Sequence, residues 1–349
     1  MSQGGMLSTR LGKLVLKNPI ILGSSGLTRS KYGIEAQIKK GYGAIVTKTV
    51  TKAPRAGAPH PTVFWYDPEE KTLLSAAEGL RNPGCDEMAD SIHQALGFAE
   101  RMDCKIIASL CEQSVEGMVW VAKRLQQAGA HAIELNFICP TVGPHLGDEY
   151  AKLGPYWSED PVRAVDAICA VKESVSIPVW PKVRPNNLVK EGFLPQVDAK
   201  AKPDAYCFGG GGMPCLVIDV KTGNPIIPGN VRVKWEKGIP SFPSVSGPSR
   251  TIAILYTAYV AKLTHTPIVS IGGYHKGTHV VEALMVGASA AGVCTTVYRE
   301  IGSCQRMLDE LKKFFQMGTY SSVEEIKGIS LQHLPPVPIL TLPGLSAPN

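Results

Sequence analysis

The sequence predicts a single α/β domain folded as a (β/α)8 TIM barrel, and three observations support this prediction. A helix-like segment, a glycine or proline and a run of four to six apolar residues recur along the chain. Short apolar runs after glycine are typical of strands buried on both faces of a parallel sheet. Within the 349 residues four segments show this pattern and four further apolar runs fill the gaps between them, which gives the eight strands that a barrel needs. A doubly wound sheet is the alternative, and it is disfavoured because no Gly-x-Gly-x-x-Gly segment opens the first βα turn.

The predicted strands alternate with helical patterns along the chain. The strand segments, with the glycine or proline that precedes some of them, are residues 20–22, 41–47, 105–109, 128–133, 179–183, 202–207, 268–271 and 286–291. The helical patterns are residues 34–40, 115–128, 162–174, 250–262, 279–286 and 303–315.

Several segments fall outside a minimal barrel. Residues 7–16 resemble a short hairpin that could plug the bottom of the barrel, and residues 50–83 form a long excursion after strand two. Residues 209–247 are rich in glycine, proline and strand-forming residues, which predicts an antiparallel insertion after strand six. We therefore expect a barrel domain over residues 1–320 and a proline-rich C-terminal extension over residues 321–349.

Composition narrows the class of protein. The formal charge of +6 is mild, and the basic residues are not clustered with aromatic residues, so a nucleic-acid partner is not expected. No apolar run approaches the roughly 20 residues that span a bilayer, so we expect a soluble, cytoplasmic protein without a membrane partner. The nine cysteines show no Cys-x-x-Cys spacing, which favours reduced thiols over a structural metal or an iron–sulfur cluster.

The segment at residues 133–140 carries the strongest sign of chemistry. A short buried strand ends at Asn136, and Cys139 follows three residues later. Pro140 cannot continue a sheet ladder and biases Cys139 away from helix, so the thiol should lie on a loop at the strand's carboxyl end. That end of a barrel houses the active site. A thiol there can exchange a proton or attack as a nucleophile.

Other strand ends carry groups suited to an anionic ligand. Gly272 and Gly273 follow strand seven, and hydroxyl residues follow strand eight. Loops after strands seven and eight form the usual phosphate site of such barrels. Lys48 and Lys182 follow strands two and five, and a lysine in an apolar strand needs a partner, so both should point at the ligand.

Seven segments occur in a specific order along the chain. They are Ile-Leu-Gly-Ser-Ser-Gly at 21–26, Val-Thr-Lys-Thr at 46–49, Leu-Asn-Phe-Ile-Cys-Pro at 135–140, Pro-Lys-Val at 181–183, Ser-Gly-Pro at 246–248, Gly-Gly at 272–273 and Gly-Val-Cys-Thr-Thr at 292–296. Over residues from about 7 to 316 the chain thereby resembles the dihydroorotate dehydrogenase family, which also includes the pyrimidine-reducing domain of dihydropyrimidine dehydrogenase.

The resemblance implies a barrel that binds FMN and passes a hydride between a substrate carbon and flavin N5. Cys139 takes the place of the family's proton acid/base, and a cysteine there resembles the soluble class. Lys48 and Lys182 would stabilise charge on the reduced flavin, and His145 is a second proton-transfer candidate or a solvated loop residue. The residues expected at or beside FMN are Ser24, Ser25, Lys48, Thr49, Asn136, Lys182, Gly247, Gly272, Gly273, Cys294 and Thr295.

The substrate pocket departs from the family pattern. The Asn-Ser-x-Gly-Leu-x-Asn run of dihydroorotate-binding members corresponds to residues 76–82, where Ala76 replaces the first amide. Thr141 and Phe208 replace two further amides, and Asn136 is retained. Because such a site recognises its ring through those groups, we expect a different, less polar cyclic substrate. The expected substrate contacts are Glu78, Gly79, Leu80, Arg81, Asn136, Thr141 and Phe208.

Three functions stay open at this point. The first is an FMN-dependent oxidoreductase acting on a CH–CH or C=C bond next to a carbonyl of a small cyclic substrate, with Cys139 as acid/base. The second is a true dihydroorotate or dihydropyrimidine dehydrogenase, and the third is a non-redox, phosphate-binding isomerase or lyase. The resemblance also implies a homodimer and allows a separate electron-transfer subunit, and no metal is expected.

Overall fold

The protein folds as a closed barrel of eight parallel strands, as its sequence predicts. The computed structural model describes residues 5–57, 62–65, 74–76, 78–139, 151–190, 192–209, 244–246 and 249–335. The barrel strands, one to eight in chain order, are Ile20–Leu22, Ala44–Val46, Lys105–Leu110, Ala132–Asn136, Val179–Lys182, Tyr206–Gly209, Ile268–Ile271 and Ala290–Val293. Each overlaps one of the eight predicted segments. Closure between strands eight and one excludes the doubly wound alternative.

Helices surround the barrel. The longer ones are Lys31–Ile38, Cys85–Arg101, Val115–Gln127, Pro161–Ser174, Phe193–Lys200, Ser249–Leu263, Gly277–Met285 and Ser303–Met317. Short helices lie at Pro155–Ser158, Pro185–Leu188, Thr295–Arg299 and Val323–Ile326. Side-chain caps begin several of them. Ser30 and Ser114 accept hydrogen bonds from the first turns of their helices, as does Asp160.

Alternation along the barrel strands separates two apolar layers. Ile21, Val46 and Ile107 point into the barrel, whereas their neighbours Ile20 and Leu22 pack outward against the helices. Because successive strand side chains point to opposite faces, the inward set at the carboxyl ends forms the floor of any site there.

The N-terminal hairpin closes the amino-terminal end of the barrel. Strands Thr9–Leu11 and Leu14–Leu16 pair antiparallel, and the buried leucines pack against the inner layer of the barrel. Gly12 has a φ of +57°, and a Cβ at this position would lie 3.1 Å from the Asp204 carbonyl oxygen. The close approach explains why glycine occupies the turn.

A second sheet joins the two long excursions. Strands Val63–Trp65, Leu74–Ala76 and Ser244–Ser246 form three antiparallel strands, with Ser244 opposite Ala76. The described part of the 209–247 insertion beyond strand six thus pairs with the excursion after strand two, a long-range contact that the sequence did not predict. Residues 210–243 and the tail at 336–349 lie outside the described residues.

Two features are absent from the described residues. They contain no helix long and apolar enough to cross a membrane. Within the same ranges, no group of three or more histidine, cysteine, aspartate or glutamate side chains could hold a metal ion.

Candidate active site

A chain of hydrogen bonds crosses the carboxyl ends of five consecutive strands. The Ser24 hydroxyl lies 3.1 Å from the Thr49 hydroxyl, which lies 2.9 Å from the Ser109 hydroxyl. Ser109 donates to the Glu134 carboxylate at 3.0 Å, and Lys182 Nζ donates to the same oxygen at 3.0 Å. Ser24, Thr49 and Lys182, three residues predicted to contact the cofactor, therefore belong to one connected network.

Glu134 is the member of this network that sequence reasoning missed. Its side chain is 2% exposed and faces into the barrel beside Lys182. Burial lowers the pKa of the Lys182 ammonium, but the Glu134 carboxylate and, to a smaller extent, the sulfurs of Cys139 and Cys207 together outweigh burial, so the pKa lies above its ordinary value. A glutamate in the middle of an apolar strand was the available sequence signal, since a buried charge needs a partner.

Asn136 connects the network to the Cys139 loop. Its amide nitrogen donates to the Thr49 hydroxyl at 2.9 Å. Its amide oxygen accepts from the backbone N–H groups of Ile138 and Cys139, both at 3.1 Å. The Asn136 side chain thus fixes the turn after strand four. It thereby sets the backbone position from which the Cys139 side chain extends.

Cys139 is half-buried at the end of strand four. It packs against a small cluster of Leu80, Cys111 and Leu153, separate from the barrel core. Gly154 lies directly against its backbone, where a Cβ would come within 2.7 Å of the Cys139 carbonyl oxygen. Lys182 and Arg184, which end strand five and follow it, lie within electrostatic reach of the thiol.

Lys48 and Glu78 form an ion pair at the mouth of the barrel. Lys48 follows strand two, and its side chain is only 11% exposed. Glu78 lies beside the loop after strand one. A Cβ placed on Gly26, which belongs to that loop, would be 3.4 Å from the Glu78 carboxylate. A residue predicted to contact the cofactor and one predicted to contact the substrate are therefore direct partners.

The loop at residues 79–82 is held by Asn82. Gly79 and Leu80 adopt φ values of +61° and +59°, and Leu80 is buried. The Asn82 amide donates to the Leu80 carbonyl at 2.8 Å and accepts from the Gly84 N–H at 2.9 Å. Asn82 thus shapes the loop. Arg81, which precedes Asn82 in this loop, is half-buried.

Strand seven is followed by two glycines and strand eight by a short helix. Gly272 and Gly273 adopt φ values of +150° and +66°, which suit glycine. Thr295 begins the short helix Thr295–Arg299 after Cys294. Burial raises the pKa of the Cys294 thiol to about 11, and the thiol lies within electrostatic reach of both Lys48 and Lys182. The two lysines and the strand-eight loop therefore face a common region.

Tyr298 is a second residue that sequence reasoning missed. It lies on the helix Thr295–Arg299, and its hydroxyl lies close to the Ser25 side chain. Burial, aided by Cys294 and Glu78, raises the pKa of this phenol above its ordinary value. Nothing in the sequence singled it out, because the contact joins opposite ends of the chain.

The structure does not bring Phe208 to the mouth of the barrel. Its side chain is fully buried in the layer between strands and helices, whereas its neighbour Cys207 faces the interior. Strand register explains this, because Cys207 stands opposite the inward-facing Lys182. The prediction that Phe208 lines the substrate pocket is therefore corrected, because this side chain points away from the barrel interior. Thr141, His145 and Gly247 lie outside the described residues.

Comparison with known proteins gives one consistent family. The family model described as dihydroorotate dehydrogenase matches residues 6–315. The catalytic subunit of dihydroorotate dehydrogenase B (NAD(+)) from Bacillus pumilus is 31% identical over 335 residues, which cover 94% of this chain and 97% of that protein. The subunit of the same name from Thermoplasma acidophilum is 26% identical over 328 residues, 93% of this chain and 99% of the relative. The one from Bacillus cytotoxicus is 30% identical over 331 residues, 93% and 96% of the two chains.

Proposed function

The chain belongs to the dihydroorotate dehydrogenase family and is a flavin-dependent oxidoreductase acting on CH–CH bonds. From that premise we propose that it binds FMN at the barrel mouth and exchanges a hydride with a small cyclic substrate, while Cys139 moves the accompanying proton. The observation that carries the proposal is the double role of Asn136, which joins Thr49 at the expected cofactor surface to the backbone of Cys139.

The residues at the mouth fit FMN. Lys182 is buried and kept cationic, which suits a ring system that becomes anionic on reduction. Ser24 and Thr49 supply hydroxyl groups, and Gly272 and Gly273 carry no side chain that would keep a phosphate from the backbone. When bound there, FMN supplies the hydride acceptor or donor.

The chain's own residues supply the proton chemistry. In the oxidative direction the Cys139 sulfur takes a proton from a carbon next to a carbonyl, which requires the thiolate form. Lys182 and Arg184 lie within electrostatic reach of the negative charge that the sulfur carries before it takes the proton. Asn136 holds the loop so that the thiol stays aimed at one point, and such positioning lowers the entropic part of the barrier.

The geometry of the mouth supports a substrate other than dihydroorotate. The Glu78 carboxylate partners Lys48 and places a negative charge at the barrel mouth, which would repel the carboxylate of dihydroorotate. A cyclic carbonyl compound with a reducible C–C bond and no carboxylate avoids this repulsion. The second candidate is a true dihydroorotate or dihydropyrimidine dehydrogenase, and the names of the relatives favour it. Family membership disfavours the non-redox isomerase or lyase.

The names of the relatives also bear on the partners of this chain. The relatives are named catalytic subunits, which supports a separate electron-transfer subunit for this chain as well. Formation of a homodimer through the 209–247 insertion and a cytoplasmic location stay predictions.

Anaerobic stopped-flow spectroscopy tests the proposal. FMN-loaded protein is mixed with a panel of cyclic dihydro compounds that includes dihydroorotate and dihydrouracil, and bleaching of the flavin is followed. A substrate that bleaches wild type should bleach Cys139→Ala at least about 100-fold more slowly, the usual size of a general acid–base contribution. Cys169→Ala, a thiol on the outer helix Pro161–Ser174, is the matched control. Equal rates in wild type and Cys139→Ala would remove the thiol from the proposed chemistry.

A further inference from the structure

We propose that Glu134 is a positioning residue that keeps Lys182 charged at the cofactor face before any electrons arrive. The inference rests on the proposed FMN function and assigns a role to a carboxylate that no motif singled out. It predicts that removal of Glu134 changes how many protons accompany reduction.

The geometry places Glu134 to do this. Its Oε1 atom receives hydrogen bonds from Lys182 Nζ and from the Ser109 hydroxyl, both at 3.0 Å. The two charged side chains are only 2% and 12% exposed, so water screens the pair little. Glu134 lies deeper than Lys182, which leaves the ammonium as the group nearest the mouth.

Few other groups can take the place of Glu134. Among the described residues, the titratable groups near Lys182 are the thiols of Cys139, Cys207 and Cys294 besides Glu134 itself, and burial raises the pKa of the Cys294 thiol to about 11. Burial raises the pKa of the Cys207 thiol well above its ordinary value, so this group is neutral. Among the described residues, Glu134 is therefore the carboxylate that balances the Lys182 charge.

The consequence of losing the carboxylate follows from solvation. An ammonium buried without a counter-ion loses its proton readily, because the low-dielectric interior penalises the charged form. With Glu134 present, Lys182 is an ammonium whether the bound flavin is oxidised or reduced. Without it, Lys182 is neutral beside oxidised FMN and gains a proton when the reduced, anionic flavin forms.

The proton balance gives a direct test. Dithionite supplies two electrons to FMN-loaded protein, and the midpoint potential is measured against pH between 6 and 9. In wild type one proton goes to the flavin, so the potential should fall by about 30 mV per pH unit. In Glu134→Gln a second proton goes to Lys182 Nζ, so the slope should approach about 59 mV per pH unit. Equal slopes in the two proteins would overturn the proposal.

Two further variants separate this role from a structural one. Asp204→Asn breaks the ion pair of Asp204 with Lys172, 3.3 Å long, at the opposite end of the barrel, and it should leave the slope unchanged. Lys182→Met combined with Glu134→Gln removes both charges and should restore the wild-type slope, since no lysine remains to take the second proton. A steep slope in the double variant would contradict the assignment.

A measurement without cofactor covers the case in which Glu134→Gln fails to retain FMN. In that variant the pKa of Lys182 falls below its unfolded value, so the folded state gains stability as pH rises towards the ordinary lysine pKa of about 10.4. The difference in unfolding midpoint between wild type and variant should therefore shrink between pH 7 and 10. A difference independent of pH would refute the role of Glu134, whereas failure of wild type to bind FMN would refute only the proposed function.

Discussion

The side-chain oxygen of Asn136 accepts a hydrogen bond from the backbone N–H of Cys139 at 3.1 Å. The same oxygen accepts from the N–H of Ile138, so two donors of the turn after strand four depend on one amide. The position of the thiol is therefore set from inside the barrel, by a residue that also contacts Thr49.

Loss of the Asn136 amide should uncouple the thiol from the cofactor surface. Asn136→Ala leaves two N–H groups without their acceptor, at a cost of about 1–3 kcal/mol for each group that stays buried and unpaired. We expect lower stability in urea unfolding together with at least about a tenfold slower flavin reduction. Asn187→Ala, which removes a half-buried amide that donates to Ser158, is the control that should lose stability without losing rate. Equal rate losses in both variants would count against a positioning role.

Glu78 should govern selectivity against anionic substrates. Glu78→Gln removes a carboxylate at the mouth and frees Lys48 from its partner. Since one like-charge contact near a surface is worth about 1 kcal/mol or more, dihydroorotate should bind about fivefold more tightly to the variant. Ligand titrations followed by the flavin spectrum measure this change. Dihydrouracil has the same ring without the carboxylate and should bind with little change, and a parallel gain for both ligands would exclude the electrostatic explanation.

His275 should make the fold sensitive to mild acid. Burial, with Arg299, His279, Arg306 and Arg250 nearby, lowers the pKa of this imidazole to about 4. The unfolded chain takes up the proton near the ordinary value of about 6.5, so stability is complete above that pH and is lost as pH falls towards 4.

Urea unfolding of wild type and His275→Gln between pH 7 and 4 tests this dependence. The wild-type unfolding free energy should decline over that window more steeply than that of the variant. His93→Gln, at an exposed position of the helix Cys85–Arg101, is the control and should follow wild type. A variant as sensitive to acid as wild type would assign the effect to other groups.

The barrel was predictable because its strands are buried on both faces. A strand such as Ile20–Leu22 must be apolar throughout, so its sequence stands out between Pro19 and Gly23. The hairpin was predictable for a similar reason, since Leu14 and Leu16 alternate with the exposed Val15. The strand Ser244–Ser246 was not assigned a partner, because its pairing with Leu74–Ala76 spans almost half the chain.

The site residues that could be predicted from the sequence are those at the ends of strands. Asn136 and Lys182 were found because each ends a strand, and the structure brings both to the same face. Glu134 was missed because its role depends on an ion pair with Lys182, which lies far along the chain. Phe208 was predicted to face the pocket, but it points outward. Its direction follows from the pairing of Cys207 with Lys182, and the sequence of one strand does not show which residue it pairs with.

Equilibrium titration of the cofactor-free protein with FMN and with riboflavin tests the central claim most directly. The account predicts saturable binding of FMN and at least about 100-fold weaker binding of riboflavin, because the loops after strands seven and eight hold the phosphate that riboflavin lacks. Lys182→Met should weaken both ligands alike. A protein that takes up no FMN, or that binds the two flavins equally, would contradict a phosphate-anchored flavin at this barrel mouth.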